Sequence, residues 1–157
     1  MKKYILNFIT LLNLATGLTG LVFVFHNELN LAIYLVFLCG LFDFLDGFAA
    51  RMLKSYSDLG KSLDSLADIV SFGVLPAFIA FSAFSVYGGD EIYYQIFPWM
   101  ALLIPVFSAL RLAKFNVDES QSISFSGLPT PANAFMVISA VFVFLNEHRL
   151  IPVNEFK

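Results

Sequence analysis

Four aspartates lie in or beside strongly apolar stretches of the chain, in two closely spaced pairs. Asp43 and Asp46 are three residues apart, and Asp64 and Asp68 are four residues apart. On a helix, either spacing places both carboxylates on one face. A carboxylate in hydrocarbon costs about 2.5–3.5 kcal/mol, so four of them need a compensating partner. Oxygen ligands suit a hard divalent cation, and the pattern predicts a site for Mg²⁺ or Mn²⁺, with Ca²⁺ as a further possibility.

Small side chains and one arginine follow these carboxylates in the sequence. Gly47 and Ala50 come about one turn after the first pair, and Gly60 is expected in the connection that leads to the second pair. Because they lack bulk, they let a ligand or another backbone approach closely. Arg51 offers a planar guanidinium that suits phosphate oxygens. The combination suggests a ligand with a diphosphate head and a lipid tail.

The composition places this group of residues in a membrane protein. Of the 157 residues, 59% are hydrophobic and 13% are charged, and the mean hydropathy is +0.79. A soluble domain of this length would need more polar surface, and the net charge of -3 gives no reason to expect a nucleic-acid partner. We predict an all-α polytopic membrane helix bundle, with one domain over residues 1–157. The five predicted spans are Ile5–Phe25, Leu29–Ala50, Leu66–Tyr87, Ile92–Ala113 and Pro131–Asn146. Pro76 and Pro105 fall inside the third and fourth spans, where they are expected to bend the helices.

The basic residues are distributed unevenly between the predicted connections. The connections at residues 26–28 and 88–91 contain none. By the positive-inside rule, the opposite side is cytoplasmic, which predicts carboxylates near the cytoplasmic surface of the cell (inner) membrane. Seven of the nine basic residues fall on that side: Lys2, Lys3, Arg51, Lys54, Lys61, Arg111 and Lys114.

From Asp43 to Asp68 the sequence resembles the signature of the CDP-alcohol phosphotransferase family, D-x2-D-G-x2-A-R-x8-G-x3-D-x3-D, and every fixed position matches. The resemblance implies that the four aspartates hold one or two divalent metals and that Asp68 is also the general base. It further implies that an acceptor hydroxyl attacks the lipid-side phosphorus of a CDP-lipid and that CMP leaves. The implied CDP site consists of Asp43, Asp46, Gly47, Ala50, Arg51, Gly60 and Asp64.

Three other stretches are similar to the phosphatidylserine synthase branch of that family: Thr10–Leu14, Ala109–Asn116 and Phe125–Ala132. This similarity implies CDP-diacylglycerol as the donor, L-serine as the acceptor and a homodimer in the membrane. Arg111 and Lys114 are then candidates for binding the acceptor or a phosphate, although both also suit simple anchoring at the membrane surface. The segment 126–131 is either a rigid turn or a loop that covers the substrate.

Members of the family usually have six spans and a cytoplasmic C-terminus. Five spans place the C-terminus outside, so we expect either a C-terminally truncated chain or a short member of the family. His26 and His148 are expected at the opposite interface, Cys39 inside a helix and Asp58 in a capping role.

Two alternatives remain open at this point. Another acceptor, such as glycerol 3-phosphate or an inositol phosphate, or an archaeal-type lipid donor would use the same chemistry, although a phosphorylated acceptor would need more basic residues. A cation transporter or channel would also use intramembrane aspartates. A transport path should carry polar groups through the middle of the membrane, whereas these aspartates gather at one surface.

Overall fold

The computed structural model describes residues 2–53, 58–87, 92–117 and 128–150. Every regular element within these ranges is helical. In chain order the elements are α1 (Lys2–Phe25), α2 (Leu29–Leu53), α3 (Asp58–Asp68), a π-helical segment (Ile69–Val74), α4 (Leu75–Tyr87), α5 (Ile92–Ala101), α6 (Leu103–Val117) and α7 (Thr130–Leu150).

Five helical stretches of the described residues are long and apolar enough to cross a bilayer. One of them joins α3, the π-helical segment and α4, and another joins α5 and α6. Large apolar side chains such as Phe8, Tyr34 and Phe107 lie on the outside of the bundle. A surface of this kind suits lipid as the surrounding solvent. The predicted all-α integral membrane bundle is confirmed. The five stretches are Leu6–Phe25, Leu29–Met52, Leu59–Val86, Gln95–Val117 and Thr130–Glu147.

The third helix begins earlier than the sequence suggested. It starts at Asp58 rather than Leu66, so the predicted boundary was wrong. Gly60, which we placed in a connection, lies in the first turns of α3. These turns alternate apolar residues such as Leu59 with polar residues such as Lys61, and an amphipathic helix escapes a search for continuous apolar runs. Asp64 and Asp68 are therefore inside a helix rather than at its start.

Pro76 is the second residue of α4, just beyond the π-helical segment. In this segment the Leu75 N–H bonds to the Val70 carbonyl, five residues earlier. Proline has no N–H, and its ring crowds the carbonyl of the residue four positions before it, here Phe72. The wider π turn accommodates this crowding, and π turns occur often at functional sites. The sequence predicted a bend at Pro76, and the structure has a π-helical segment just before it.

Pro105 has a similar effect in the fourth span. Helix α5 ends at Ala101, four residues before the proline, and α6 begins at Leu103. At the break, the Leu102 N–H bonds to the Trp99 carbonyl over 3.1 Å, which closes a tighter turn than an α-helix has. The span is therefore two helices rather than one bent helix.

The π-helical segment lies at the centre of the bundle, between α1 and α6. A Cβ atom at Gly17 of α1 would lie 2.7 Å from Ser71 Oγ and 3.2 Å from Ser71 Cα. On the other side, a Cβ atom at Gly73 would lie 3.3 Å from Pro105 Cα. Both glycines thus permit close packing of helices against this segment. The apolar core around it includes Val36, Phe72, Ile79 and Ile138, all with 2% exposure or less.

Candidate active site

Three carboxylates converge where α2 meets the third helix. Asp43 lies on α2 and Asp64 on α3. Asp68 is the last residue of α3, directly before the π-helical segment. Carboxylate oxygens of the three lie within 4.8 Å of one another. Asp68 is 8% exposed and the other two are half-buried. The two spacing rules read from the sequence therefore correctly placed these three residues together.

This cluster has the donor chemistry of a divalent cation site. Three like charges at such separations repel strongly unless a cation lies among them. Asp68 Oδ1 is buried and has no hydrogen-bond partner among the described residues, so its oxygen is left for another ligand. Hard oxygen donors suit Mg²⁺, Mn²⁺ or Ca²⁺. The residues present therefore fit the metal that the sequence predicted.

Asp46 is arranged differently from the other three aspartates. Its Oδ2 accepts a hydrogen bond from the Thr10 hydroxyl of α1, whose single hydrogen has the Leu6 carbonyl, 3.1 Å away, as its alternative acceptor. Asp46 is buried beside the cluster but outside the group of three that are close enough to share one ion. Its role as a metal ligand stays a prediction.

A buried polar layer lies one helical turn from the carboxylates. The main-chain carbonyl of Asn13 accepts hydrogen bonds from Ser71 Oγ at 3.3 Å and from Cys39 Sγ at 3.6 Å. Asn13 Oδ1 is buried and has no partner among the described residues. Cys39 is a buried free thiol inside α2, as the sequence indicated.

The sequence analysis noted the stretch Thr10–Leu14 of α1 as a similarity but did not assign it a role in the site. A signal was present, because Thr10, Asn13, Gly17 and Gly20 recur at intervals of three or four residues. Such a stripe of small and polar residues marks the face of a membrane helix that packs on its neighbours.

The residues assigned to CDP binding follow the cluster along α2. A Cβ atom at Gly47 would meet nothing within 4 Å, so this position faces open space. Ala50 is half-buried, and Arg51 is exposed in the last turn of α2. Gly60 is half-buried in α3. The space at Gly47 agrees with the expectation that a small residue leaves room for a ligand.

A cavity of about 400 Å³ lies between α6 and the beginning of α7. Arg111 lines it, and its Nη1 donates a hydrogen bond to Thr130 Oγ1 over 2.7 Å. The lining residue Ser108 packs on the π-helical segment that follows Asp68, since a Cβ atom at Gly73 would lie 3.5 Å from Ser108 Cβ. The complete lining is Leu103, Ile104, Phe107, Ser108, Arg111, Leu128, Thr130 and Asn133.

Of the other residues predicted to bind the acceptor, some line this cavity and some do not. Lys114 is exposed on α6 and does not contribute to the lining. The segment 126–131 was predicted to be a rigid turn or a substrate loop, but its last two residues, Thr130 and Pro131, belong to α7. Residues 126–127 lie outside the described part of the chain, so the choice between turn and loop stays a prediction. A threonine followed by proline suits a helix start, because proline at the first helical position loses no hydrogen bond. Lys54 also lies outside the described residues.

Polar side chains connect the beginning of α3 to the end of α6. Asn116 Nδ2 donates to Ser65 Oγ over 2.8 Å, and Ser65 Oγ donates to the Lys61 carbonyl over 3.1 Å. Lys61 Nζ donates to the Asn116 carbonyl over 3.3 Å and lies 5.8 Å from the centre of the Phe115 ring. These contacts fix the end of α6 that carries Arg111 against the helix that carries Asp64 and Asp68.

Comparisons with known proteins agree with this geometry. A sequence model of the CDP-alcohol phosphatidyltransferase family matches residues 3–155. The chain is 34% identical over 144 residues to a CDP-diacylglycerol–serine O-phosphatidyltransferase of Bacillus subtilis, covering 90% of this chain and 77% of that protein. It is 35% identical over 132 residues to a protein of the same name from Methanocaldococcus jannaschii, and 36% identical over 133 residues to an archaetidylserine synthase of Methanothermobacter thermautotrophicus. It covers 57% and 54% of these two archaeal proteins. The chain therefore belongs to the CDP-alcohol phosphatidyltransferase family.

Proposed function

We propose that this protein transfers a phosphatidyl group from CDP-diacylglycerol to L-serine and releases CMP. The observation that carries the proposal is the convergence of Asp43, Asp64 and Asp68, with the Arg111 cavity packed through Ser108 on the π-helical segment that follows Asp68. An acceptor bound in the cavity would lie next to the carboxylates that serve the donor. The serine acceptors named for the relatives from Bacillus subtilis and Methanocaldococcus jannaschii support this choice.

On the donor side, we assign Asp43, Asp64 and Asp68 as ligands of a divalent metal, with Asp46 as a further ligand. When bound, Mg²⁺ or Mn²⁺ would neutralise the negative charge of the diphosphate. Gly47, Ala50, Arg51 and Gly60 are the remaining proposed CDP-binding residues. The open space at Gly47 leaves room for the nucleotide, and the exposed Arg51 guanidinium suits its phosphates.

On the acceptor side, the serine hydroxyl attacks the phosphorus that carries the lipid. A bond forms between the serine oxygen and phosphorus, the bond from phosphorus to the bridging oxygen of the diphosphate breaks, and CMP leaves with that oxygen. Asp68 takes the proton of the hydroxyl, since one of its oxygens is buried without a hydrogen-bond partner among the described residues. The Arg111 guanidinium holds the serine carboxylate.

Two alternatives keep the chemistry and change a substrate. An archaeal-type lipid donor is favoured by the 36% identity to an archaetidylserine synthase. The lipid tail of the donor is recognised by apolar surface, so neither the aspartate cluster nor the cavity distinguishes the two donors. A phosphorylated acceptor is less suited to this cavity, because Arg111 is the one cationic side chain among the described lining residues. Membership in a transferase family leaves the transporter hypothesis without support.

The setting of the reaction is also part of the proposal. We place the protein in the cell (inner) membrane, with the active site facing the cytoplasm, and we expect a homodimer. The exposed Arg51, Lys61 and Lys114 lie at the carboxylate end of the bundle, as the positive-inside rule requires for a cytoplasmic end.

The test is CMP release by the purified protein in detergent. CDP-diacylglycerol and its archaeal ether-lipid counterpart are each paired with serine, glycerol 3-phosphate or an inositol phosphate. We expect metal-dependent CMP release that rises with serine and saturates. Stimulation by glycerol 3-phosphate or an inositol phosphate in place of serine would overturn the acceptor assignment, and comparison of the two donors identifies the lipid.

A further inference from the structure

We propose that the first turn of α7 selects an α-amino acid as the acceptor, with Asn133 accepting a hydrogen bond from its ammonium group and Thr130 orienting Arg111 toward its carboxylate. This inference rests on the proposed function, in which serine is the acceptor. It adds two residues to the site that neither the family signature nor the similar stretches single out for this role.

The cavity is polar at the meeting of two helices and apolar elsewhere. Ser108 and Arg111 come from α6, whereas Thr130 and Asn133 come from α7. The other four lining residues are Leu103, Ile104, Phe107 and Leu128. A few convergent polar groups in an otherwise apolar cavity are the usual means by which a small ligand is oriented.

Thr130 is suited to positioning rather than to chemistry. It is 3% exposed, and its hydroxyl accepts the hydrogen bond from Arg111 Nη1 at 2.7 Å. The turn that carries it is closed by the Asn133 N–H, which donates to the Pro129 carbonyl over 3.0 Å. A guanidinium can rotate on its long side chain, and a fixed hydroxyl at one nitrogen restricts that rotation. The restricted fork can then meet a carboxylate in a bidentate manner.

Asn133 supplies what the ammonium group needs. An α-amino acid presents three ammonium N–H groups beside its carboxylate, and burial of that cation requires acceptor oxygens. The described residues that line the cavity include no carboxylate, so neutral oxygens must serve. The Asn133 carboxamide oxygen is one of them, on the same helical turn as Thr130. A neutral acceptor also avoids competition with Arg111 for the acceptor's carboxylate.

The position of the cavity fits transfer to the hydroxyl of such an acceptor. A Cβ atom at Gly73 would lie 3.5 Å from Ser108 Cβ, so the lining residue Ser108 packs on the π-helical segment five residues beyond Asp68. Arg111 lies on the same helix as Ser108 and about one turn further along it. A small amino acid held by its carboxylate and ammonium groups therefore lies beside the proposed general base.

The test compares serine with two acceptors that each lack one of its charged groups. Serine carries both groups, ethanolamine lacks the carboxylate, and 3-hydroxypropionate lacks the ammonium. The measured quantity is the ratio of kcat/KM values for CMP release with each acceptor. We expect Asn133→Leu to lower the preference for serine over 3-hydroxypropionate by about tenfold, because one hydrogen bond to a charged group is lost. Asn133→Gln, which keeps a neutral carboxamide oxygen, should retain more of that preference than Asn133→Leu.

Thr130 is tested by the other comparison. We expect Thr130→Val to raise KM for serine and to lower the preference for serine over ethanolamine by about tenfold, because the guanidinium loses its orientation. Thr130→Ser restores the hydroxyl and should restore both values. Thr19→Val and Asn146→Leu are matched controls on exposed helix faces, and they should preserve all ratios.

Two failures of the experiment have different meanings. If serine does not stimulate CMP release by the unmodified protein, the proposed function itself is wrong. If serine does so, but Asn133→Leu and Thr130→Val keep the unmodified protein's ratios, only the role given to α7 is wrong. Serine-independent hydrolysis of the CDP-lipid, measured for each variant, shows that the donor site is still folded.

Discussion

The Asn116 side-chain amide donates a hydrogen bond to the Ser65 hydroxyl, 2.8 Å away, and so joins the end of α6 to α3. Because Ser65 follows Asp64 directly and Asn116 lies five residues after Arg111, this contact holds the acceptor helix against the carboxylate helix. We expect Ser65→Ala and Asn116→Ala each to lower the free energy of unfolding by about 0.5–1.5 kcal/mol. Thermal unfolding in detergent measures this change.

A double variant shows whether Ser65 and Asn116 stabilise the protein through their contact with each other or independently. If the two side chains act only through one another, Ser65→Ala with Asn116→Ala should cost about as much as either change alone. Simple addition of the two losses would contradict a coupled pair. Asn146→Ala, on an exposed face of α7, is the matched asparagine control and should change the stability little.

A second prediction concerns the metal. We expect Asp64→Asn to abolish divalent-metal binding and to lower the rate of CMP release by about 10²–10³-fold, because a charged ligand in the three-carboxylate cluster is lost. Metal binding is measured by calorimetric titration with Mn²⁺, and turnover by CMP release at increasing metal concentration. Glu147→Gln removes an exposed carboxylate from α7 and serves as the control. Full activity of the unmodified protein in excess chelator would show that no metal is needed.

The two glycines Gly47 and Gly17 should respond in opposite ways to enlargement. A side chain at Gly47 would extend into open space, so Gly47→Leu should keep the fold and lose affinity for a CDP-lipid by filling the nucleotide's place. A side chain at Gly17 would press on Ser71, so Gly17→Leu should lower stability by about 1–3 kcal/mol. Ala50→Leu should resemble Gly47→Leu. Nucleotide binding and thermal unfolding of the same preparations measure both effects, and unchanged CDP-lipid affinity in Gly47→Leu and Ala50→Leu would place the CDP site elsewhere.

The carboxylate cluster was predictable because it depends on local helix geometry. Asp43 is presented by one helix and the pair Asp64 and Asp68 by the next, so a short connection was enough to bring them together. Asp46 shows where this reasoning ends. Its spacing places it on the same face as Asp43, but its carboxylate is bound by Thr10 of α1, and no local pattern in α2 indicates which neighbour supplies that hydroxyl.

The acceptor cavity was predictable only in part, for a similar reason. Arg111 was recognised by its charge and by the stretch around it. Thr130 was included only as part of the segment 126–131, and Asn133 was not recognised, because the contribution of each to the cavity depends on where α7 begins relative to α6. The fifth span was predicted to begin at Pro131, one residue after the observed start of α7 at Thr130. The boundary of α3 was wrong since its first turns are amphipathic.

Arg111 provides the next prediction. We expect Arg111→Ala to raise KM for serine by about 10–100-fold through loss of a charge-assisted hydrogen bond to the carboxylate. Slow hydrolysis of CDP-diacylglycerol by water should persist, because water needs no such partner, whereas Asp68→Asn should suppress both reactions. Arg111→Lys should recover only part of the serine affinity, since an ammonium lacks the planar fork.

The control for this prediction is Lys114→Ala, on the same helix but outside the cavity lining, which should have the smaller effect on serine. The outcome that would contradict the assignment is a rise in KM for CDP-diacylglycerol with unchanged serine saturation. Arg111 would then bind a phosphate of the donor.

The last prediction concerns the orientation of the active site across the membrane. Lys61 Nζ donates to the Asn116 carbonyl at 3.3 Å, so the beginning of α3 and the end of α6 lie at the same end of the bundle as the carboxylates. Basic residues gather at this end, which should therefore be cytoplasmic. A membrane-impermeant maleimide applied to intact cells should label His26→Cys, at the opposite end, and should label Lys54→Cys only after permeabilisation. The native Cys39 is fully buried and contributes little background, and Cys39→Ala in both variants removes it. Labelling of Lys54→Cys in intact cells would reverse the orientation and place the active site outside the cell.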